Sequence, residues 1–141
     1  MSLFKAKTLL VSNEYTCVLT DGEAIHTSSL RGVKPLVQFL EEGTIPEKCY
    51  AADKVVGKAT AFLYVLLRVQ ALYARVISEP AVAVLQSHGI AVEYDALVPH
   101  IINRRGDGIC PFEQAVTAIS EPDEAYAAVL QTMQELQIPL R

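Results

Sequence analysis

Three stretches of this 141-residue chain gather side chains that could do chemistry. The first runs Asp53-Lys54-Val55-Val56-Gly57-Lys58-Ala59. It reads as the turn between a short strand and a helix, so it lies beyond the carboxyl end of a strand, where open α/β sheets bind ligands. A helix N-terminus carries free N–H groups and a partial positive charge, both suited to an anion. Gly57 and Ala59 let a ligand approach the backbone closely. Lys54 and Lys58 add charge, which opposes the helix dipole unless something anionic is bound. The plainer reading is that Asp53 caps the helix, Gly57 packs and the lysines are solvated. The Gly57-Lys58 pair is not a phosphate-binding P-loop: Ala52 stands where that motif needs its first glycine, and Ala59 where it needs Ser or Thr.

The second stretch, Ser28-Ser29-Leu30-Arg31-Gly32-Val33-Lys34, is again a strand end entering a helix. Arg31 could grip an anion with its planar fork, beside Ser29, Gly32 and Lys34. If the two helix starts are neighbours, they open on one cleft. The third stretch runs from Asn103 to Glu113. Cys110 at a helix start is a candidate nucleophile, and Glu113 a candidate acid or base. The alternative is a glycine-flanked loop that closes over the cleft, with Asn103 and Arg104 as contacts. His26, His88 and His100 lack the spacing of a metal-binding pair, and Cys17, Cys49 and Cys110 form no C-x-x-C. No cofactor and no metal is expected.

The elements that must position these residues follow from hydrophobic periodicity and turn chemistry. Residues 2–11 read as an amphipathic helix. Asp21-Gly22, between two β-rich runs, predicts a hairpin over residues 15–27. A helix with Pro35 in its first turn runs to about Glu42, where Gly43 stops it. Residues 48–53 read as a strand, and the helix from Asp53-Lys54 to about Val69 is apolar almost all round, so it must be buried on every side. A strand over 71–77, a helix opened by Ser78-Glu79-Pro80, and a strand over 90–94 follow. Pro111 and Glu113 predict a capping box with Cys110 in the cap slot, on a helix to about Ile119. Ser120 with Asp123 predicts another, on a helix to about Leu136. Strands alternating with helices imply right-handed crossovers and parallel strands, with the hairpin as an antiparallel edge. The expected architecture is a three-layer α/β/α domain over residues 1–141, with about five strands in a mixed sheet.

Composition narrows the function classes. The net charge of −4 and the absence of basic runs argue against nucleic-acid binding by bulk electrostatics. The apolar fraction of 51% favours a compact fold and leaves room for an apolar face closed by a second copy, a homodimer. No segment reads as a signal peptide or is long enough to cross a membrane, so the expected location is the cytoplasm.

Four segments carry a resemblance that spans nearly the whole chain: residues 27–36, TSSLRGVKPL; 51–59, AADKVVGKA; 77–81, ISEPA; and 98–113, VPHIINRRGDGICPFE. They resemble the prokaryotic family known as domain of unknown function 1893. The resemblance implies a cytidine-deaminase-like fold. Deaminases of that fold carry His- or Cys-x-Glu on one helix start and Pro-Cys-x-x-Cys on the next, holding a zinc that activates water. The corresponding positions here, 29–33 and 53–58, have no such ligand set. The resemblance therefore implies a cleft in the same place without zinc-dependent deamination. The leading expectation is a binder of a small anionic, nucleotide-like ligand at two helix N-termini, through Ser29, Arg31, Gly32, Lys34, Asp53, Lys54, Gly57, Lys58, Asn103 and Arg104. One alternative is a metal-free enzyme using Asp53, Lys54 or Lys58 with Cys110 and Glu113. The other is a homo-oligomeric interaction protein.

Overall fold

The computed structural model describes residues 2–21, 24–30, 32–43, 48–102, 106 and 108–139. In chain order the elements are α1 (Ser2–Ser12), β1 (Cys17–Thr20), β2 (Ile25–Ser28), α2 (Lys34–Glu42), β3 (Cys49–Val56), α3 (Lys58–Leu66), β4 (Val69–Ser78), α4 (Glu79–Ser87), β5 (Ala91–Val98), α5 (Pro111–Val116) and α6 (Pro122–Glu135). The five strands form one sheet in the order β2-β1-β3-β4-β5. β1 is antiparallel to both neighbours, whereas β3, β4 and β5 are parallel. The α/β fold with a mixed five-stranded sheet is thus the one expected from the alternation of elements.

Each face of the sheet is covered. α1 lies across β1, β3 and β4 on one side, with Ala6 and Leu10 packed on Val18, Ala52 and Tyr73. The opposite face receives α2, α3 and α4, and the larger core sits there. α3 is its centre. The sheet lies beneath it, α2 and α4 flank it, and α5 and α6 pack over it. Every residue from Ala59 to Tyr64 is buried, as a helix without a polar face requires.

Local chemistry sets most boundaries. Gly43 closes α2 in the left-handed conformation (φ 68°), its N–H donating to the Phe39 carbonyl at 3.1 Å. Ser78 caps α4 by accepting the Ala81 N–H at 3.3 Å, with Pro80 in the first turn. The hairpin's last strand pair is Thr20 with Ile25. Just beyond it, the Asp21 N–H reaches the Ala24 carbonyl at 3.4 Å.

Several boundaries differ from expectation. β3 continues three residues past Asp53, because Val55 and Val56 pair with Val76 and Ile77 of β4 instead of starting the helix. Asp53 is therefore neither turn nor cap; it sits in a strand between Cys17 of β1 and Ala74 of β4. β4 starts earlier, at Val69, and α3 ends at Leu66. β5 runs to Val98, well past Tyr94; as an exposed edge strand it lacks the alternation that marks a half-buried one. α5 ends at Val116, and neither predicted capping box forms: Cys110 and Glu121 hold the two cap positions without a side-chain bond.

Candidate functional site

A cleft of about 1100 Å³ opens beyond the carboxyl end of β3. The starts of α2 and α3 both face it, and the segment leading into α5 forms a further wall. From the first candidate stretch it collects Asp53, Lys54 and Gly57. From the second it collects Ser29, Gly32 and Lys34, and from the third Cys110 and Glu113. Lys58 does not line it. Its Nζ donates instead to the Thr117 carbonyl at 3.0 Å and lies 5.8 Å from the Phe62 ring centroid. Arg31, Asn103 and Arg104 lie outside the described residues.

The start of α3 already holds a carboxylate. Glu113 accepts the Lys58 N–H at Oε1 (2.8 Å) and the Ala59 N–H at Oε2 (2.9 Å). Two of the helix's orphan donors are thereby satisfied from α5. Gly57 makes the approach possible, since a Cβ there would lie 2.5 Å from the Glu113 carboxyl carbon. The anion at this helix start is supplied by the chain itself, while Lys54 lies in β3 and only Lys58 belongs to the first turn of α3. Glu113, with both oxygens bound, acts as a clamp between α5 and α3 rather than as a free acid or base.

Asp53 has a different setting. It is buried, and no described Lys or Arg pairs with it. Tyr64 donates to Oδ2 at 2.6 Å, and the Val55 N–H reaches Oδ1 at 3.2 Å. Burial pushes the Asp53 carboxyl up to about 7, against the downward pull of the Tyr64 and backbone hydrogen bonds. Cys17 Sγ stands 3.2 Å from the Tyr64 hydroxyl. Because the Tyr64 proton goes to Asp53, the Cys17 thiol is the donor of that second contact. Burial also drives Cys17 and Tyr64 well above their ordinary values, with the Asp53 charge adding to each, so both stay protonated at neutral pH. The cleft wall thus contains a chain from Cys17 to Tyr64 to Asp53. Sequence reasoning missed Cys17 and Tyr64 as partners; the available signal was Thr60 and Tyr64, polar residues one turn apart in an apolar helix.

At α2, Gly32 adopts φ 71°, a left-handed turn that a side chain disfavours. The residue in the cap position, Val33, has no side-chain oxygen to offer, and among the described residues no side chain caps the helix. The preceding turn is tied down by Thr16, whose hydroxyl donates to the Ser28 carbonyl at 3.0 Å, and by Ser28 Oγ, which accepts the Leu30 N–H at 3.0 Å. Ser29 Oγ reaches the Glu14 carbonyl at 3.5 Å. On the opposite wall, Ile102 and Ile109 form an isolated antiparallel bridge, and the Cys110 N–H donates to the Ile101 carbonyl at 3.1 Å. The loop between α5 and β5 is therefore pinned at its base beside the cleft. Cys110 itself is half-buried.

Among the described residues no three of His, Cys, Asp and Glu come together as a metal site. The carboxylates and thiols of the cleft fit a zinc ion poorly: Glu113 is spent on α3, while Asp53 and Cys17 are joined through Tyr64. No described helix is long and apolar enough to cross a membrane.

With this fold and cleft, the chain belongs to the TM1506 family, described as a domain of unknown function (DUF1893), whose sequence pattern matches residues 5–133. It is also similar to a solved structure, a DUF1893 family protein (TM1506) from Thermotoga maritima. That likeness has a TM-score of 0.83 at 27% sequence identity, and covers 92% of this chain and 88% of the other. No functionally curated protein matches.

Proposed function

We propose that this protein binds a small anionic, nucleotide-like ligand in the cleft beyond β3, in the cytoplasm, on a deaminase-like fold that works without zinc. The observation that carries the reading is convergence: segments far apart in sequence deliver Ser29, Gly32, Lys34, Asp53 and Lys54 to one cleft of about 1100 Å³. That is ample for a ligand of nucleotide size. Since Glu113 fills the start of α3, the reading assigns the anion to the other side. There Gly32 and Ser29 border the uncapped start of α2, with Lys34 and Lys54 supplying charge. Arg31, Asn103 and Arg104, the other expected contacts, lie outside the described residues, and Lys58 is left to hold α5.

The test is a thermal-shift titration of chelator-treated protein with CMP and AMP against cytidine and adenosine. A ligand that binds only the native state stabilises it by RT ln(1 + [L]/Kd), roughly 2.7 kcal/mol at about 100 Kd. The nucleotides raise Tm, the nucleosides raise it less, and Lys34→Ala with Lys54→Ala removes the difference. A flat response to every anion would end this reading.

One observation favours a second reading, a metal-free enzyme on the same cleft. A carboxyl held near neutrality in a cleft is suited to proton transfer. Asp53 would be the acid or base, and Lys54 the electrostatic partner. Asp53→Asn would then abolish turnover while leaving ligand affinity nearly intact, whereas a pure binder shows no turnover to abolish.

A further inference from the structure

The rim of the cleft carries a feature that anion binding alone does not use. Leu30, Val55, Ile102 and Leu136 are 41%, 47%, 54% and 47% exposed, and all four line the cleft. They come from four separate places: the turn before α2, the end of β3, the loop after β5 and the end of α6. A single exposed aliphatic side chain needs no explanation; four brought from distant segments to one opening form an apolar collar. The charges of the cleft point the same way. Among its described residues the charged side chains are Lys34 and Lys54 together with the carboxyl groups of Asp53 and Glu113. That balance suits one anionic group and disfavours a run of phosphates.

We infer that the ligand is an amphipathic anion: one phosphate or carboxylate met by Lys34 and Lys54, joined to a ring-sized apolar body covered by Leu30, Val55, Ile102 and Leu136. This rests on the anion-binding reading above and narrows it to a ligand class. A bare sugar phosphate or a polyphosphate leaves the collar in water and gains nothing from it. An aryl or branched acyl group buries against the collar and gains on the order of tenfold or more in affinity, from the area removed from water.

The experiment is calorimetric titration with three probes: inorganic phosphate, pyrophosphate and phenyl phosphate. Phenyl phosphate is expected to bind at least about tenfold tighter than inorganic phosphate, and pyrophosphate no tighter than inorganic phosphate. The double variant Ile102→Ser, Leu136→Ser, altered only at exposed positions, brings phenyl phosphate down to within about twofold of inorganic phosphate while inorganic phosphate itself is unaffected. Pyrophosphate binding tighter than phenyl phosphate would overturn the inference and leave the anion site standing. An aryl preference that survives the double variant would also overturn it, because the ring then sits elsewhere. If none of the three probes binds, the anion reading falls and takes this inference with it.

Discussion

Placing a methyl group at Gly57 should loosen a contact made by another helix. Gly57 has φ −98° and ψ −177°, extended backbone that alanine adopts without strain. On backbone grounds alone Gly57→Ala would stabilise the fold by about 0.4–1 kcal/mol, through the unfolded chain. The new Cβ, however, would lie 2.5 Å from the Glu113 carboxyl carbon and from Oε2. The carboxylate must swing away, and the Lys58 and Ala59 N–H groups lose their acceptors. Hydrogen bonds to charged groups contribute about 1.5–3 kcal/mol each, and an anion at a helix start adds about 0.3–1 kcal/mol. Allowing for partial recovery by water at Lys58, the net loss is about 2–4 kcal/mol, or roughly 6–12 °C in Tm for a chain of this size. Thermal unfolding followed by circular dichroism measures it, in a double-mutant cycle with Glu113→Ala. In the Glu113→Ala background the same glycine substitution is neutral or slightly stabilising, so the coupling is at least about 2 kcal/mol. Equal effects of Gly57→Ala in both backgrounds would refute the clamp.

Two further outcomes follow from the buried groups. Asp53 titrates at about 7 in the fold against 3.8 ordinarily, so between those values the native state holds a proton that the unfolded chain has released. Its contribution is fully present below pH ~4, falls as pH rises to about 7 and is flat above, a change of up to about 4 kcal/mol. Urea unfolding should show Asp53→Asn more stable than the parent at pH 8, with the gap closing towards pH 4; a gap that widens towards pH 4 would contradict the assignment. Among the cysteines, burial pushes Cys17 well up and Cys49 up to about 11, whereas Cys110 is half-buried at the cleft. Iodoacetamide at pH ~7.5 should therefore leave one adduct, on Cys110, by peptide mass spectrometry, and modification of Cys17 or Cys49 in folded protein would show that the core is open.

The fold was legible wherever local chemistry marks a boundary. Gly43, Ser78 with Pro80, and the Asp21-Gly22 region placed three junctions within a residue or so. The β3–α3 junction was harder, because an unbroken apolar run satisfies strand and helix alike, and only pairing with β4 assigns Val55 and Val56 to the strand. Moving that boundary by a few residues changed the meaning of Asp53 from a helix cap to a buried strand carboxyl. The convergence of the two helix starts was visible in the pattern, since both follow strands. The role of Glu113 was not. Its spacing from Cys110 imitates a local capping box, while its actual partners, Lys58 and Ala59, lie on another helix. A contact between distant segments leaves no periodic trace in either one.

The two cores differ greatly in size, and this asymmetry decides where the protein is prone to aggregate. α1 is held mainly by Ala6 and Leu10 against Val18, Ala52 and Tyr73, with Leu3, Leu9 and Tyr15 partly buried alongside. Elements with few buried contacts open first, well below the free energy of global unfolding. When α1 lifts, it uncovers the middle of three strands, an apolar and β-rich surface of the kind that seeds intermolecular association. The cleft lies at the strand ends, and α2 and α3, which open onto it, pack on the opposite face. A ligand there braces the large core and does little to keep α1 closed, so substitutions that improve the packing of Ala6 and Leu10 are the more direct route to a preparation that resists precipitation.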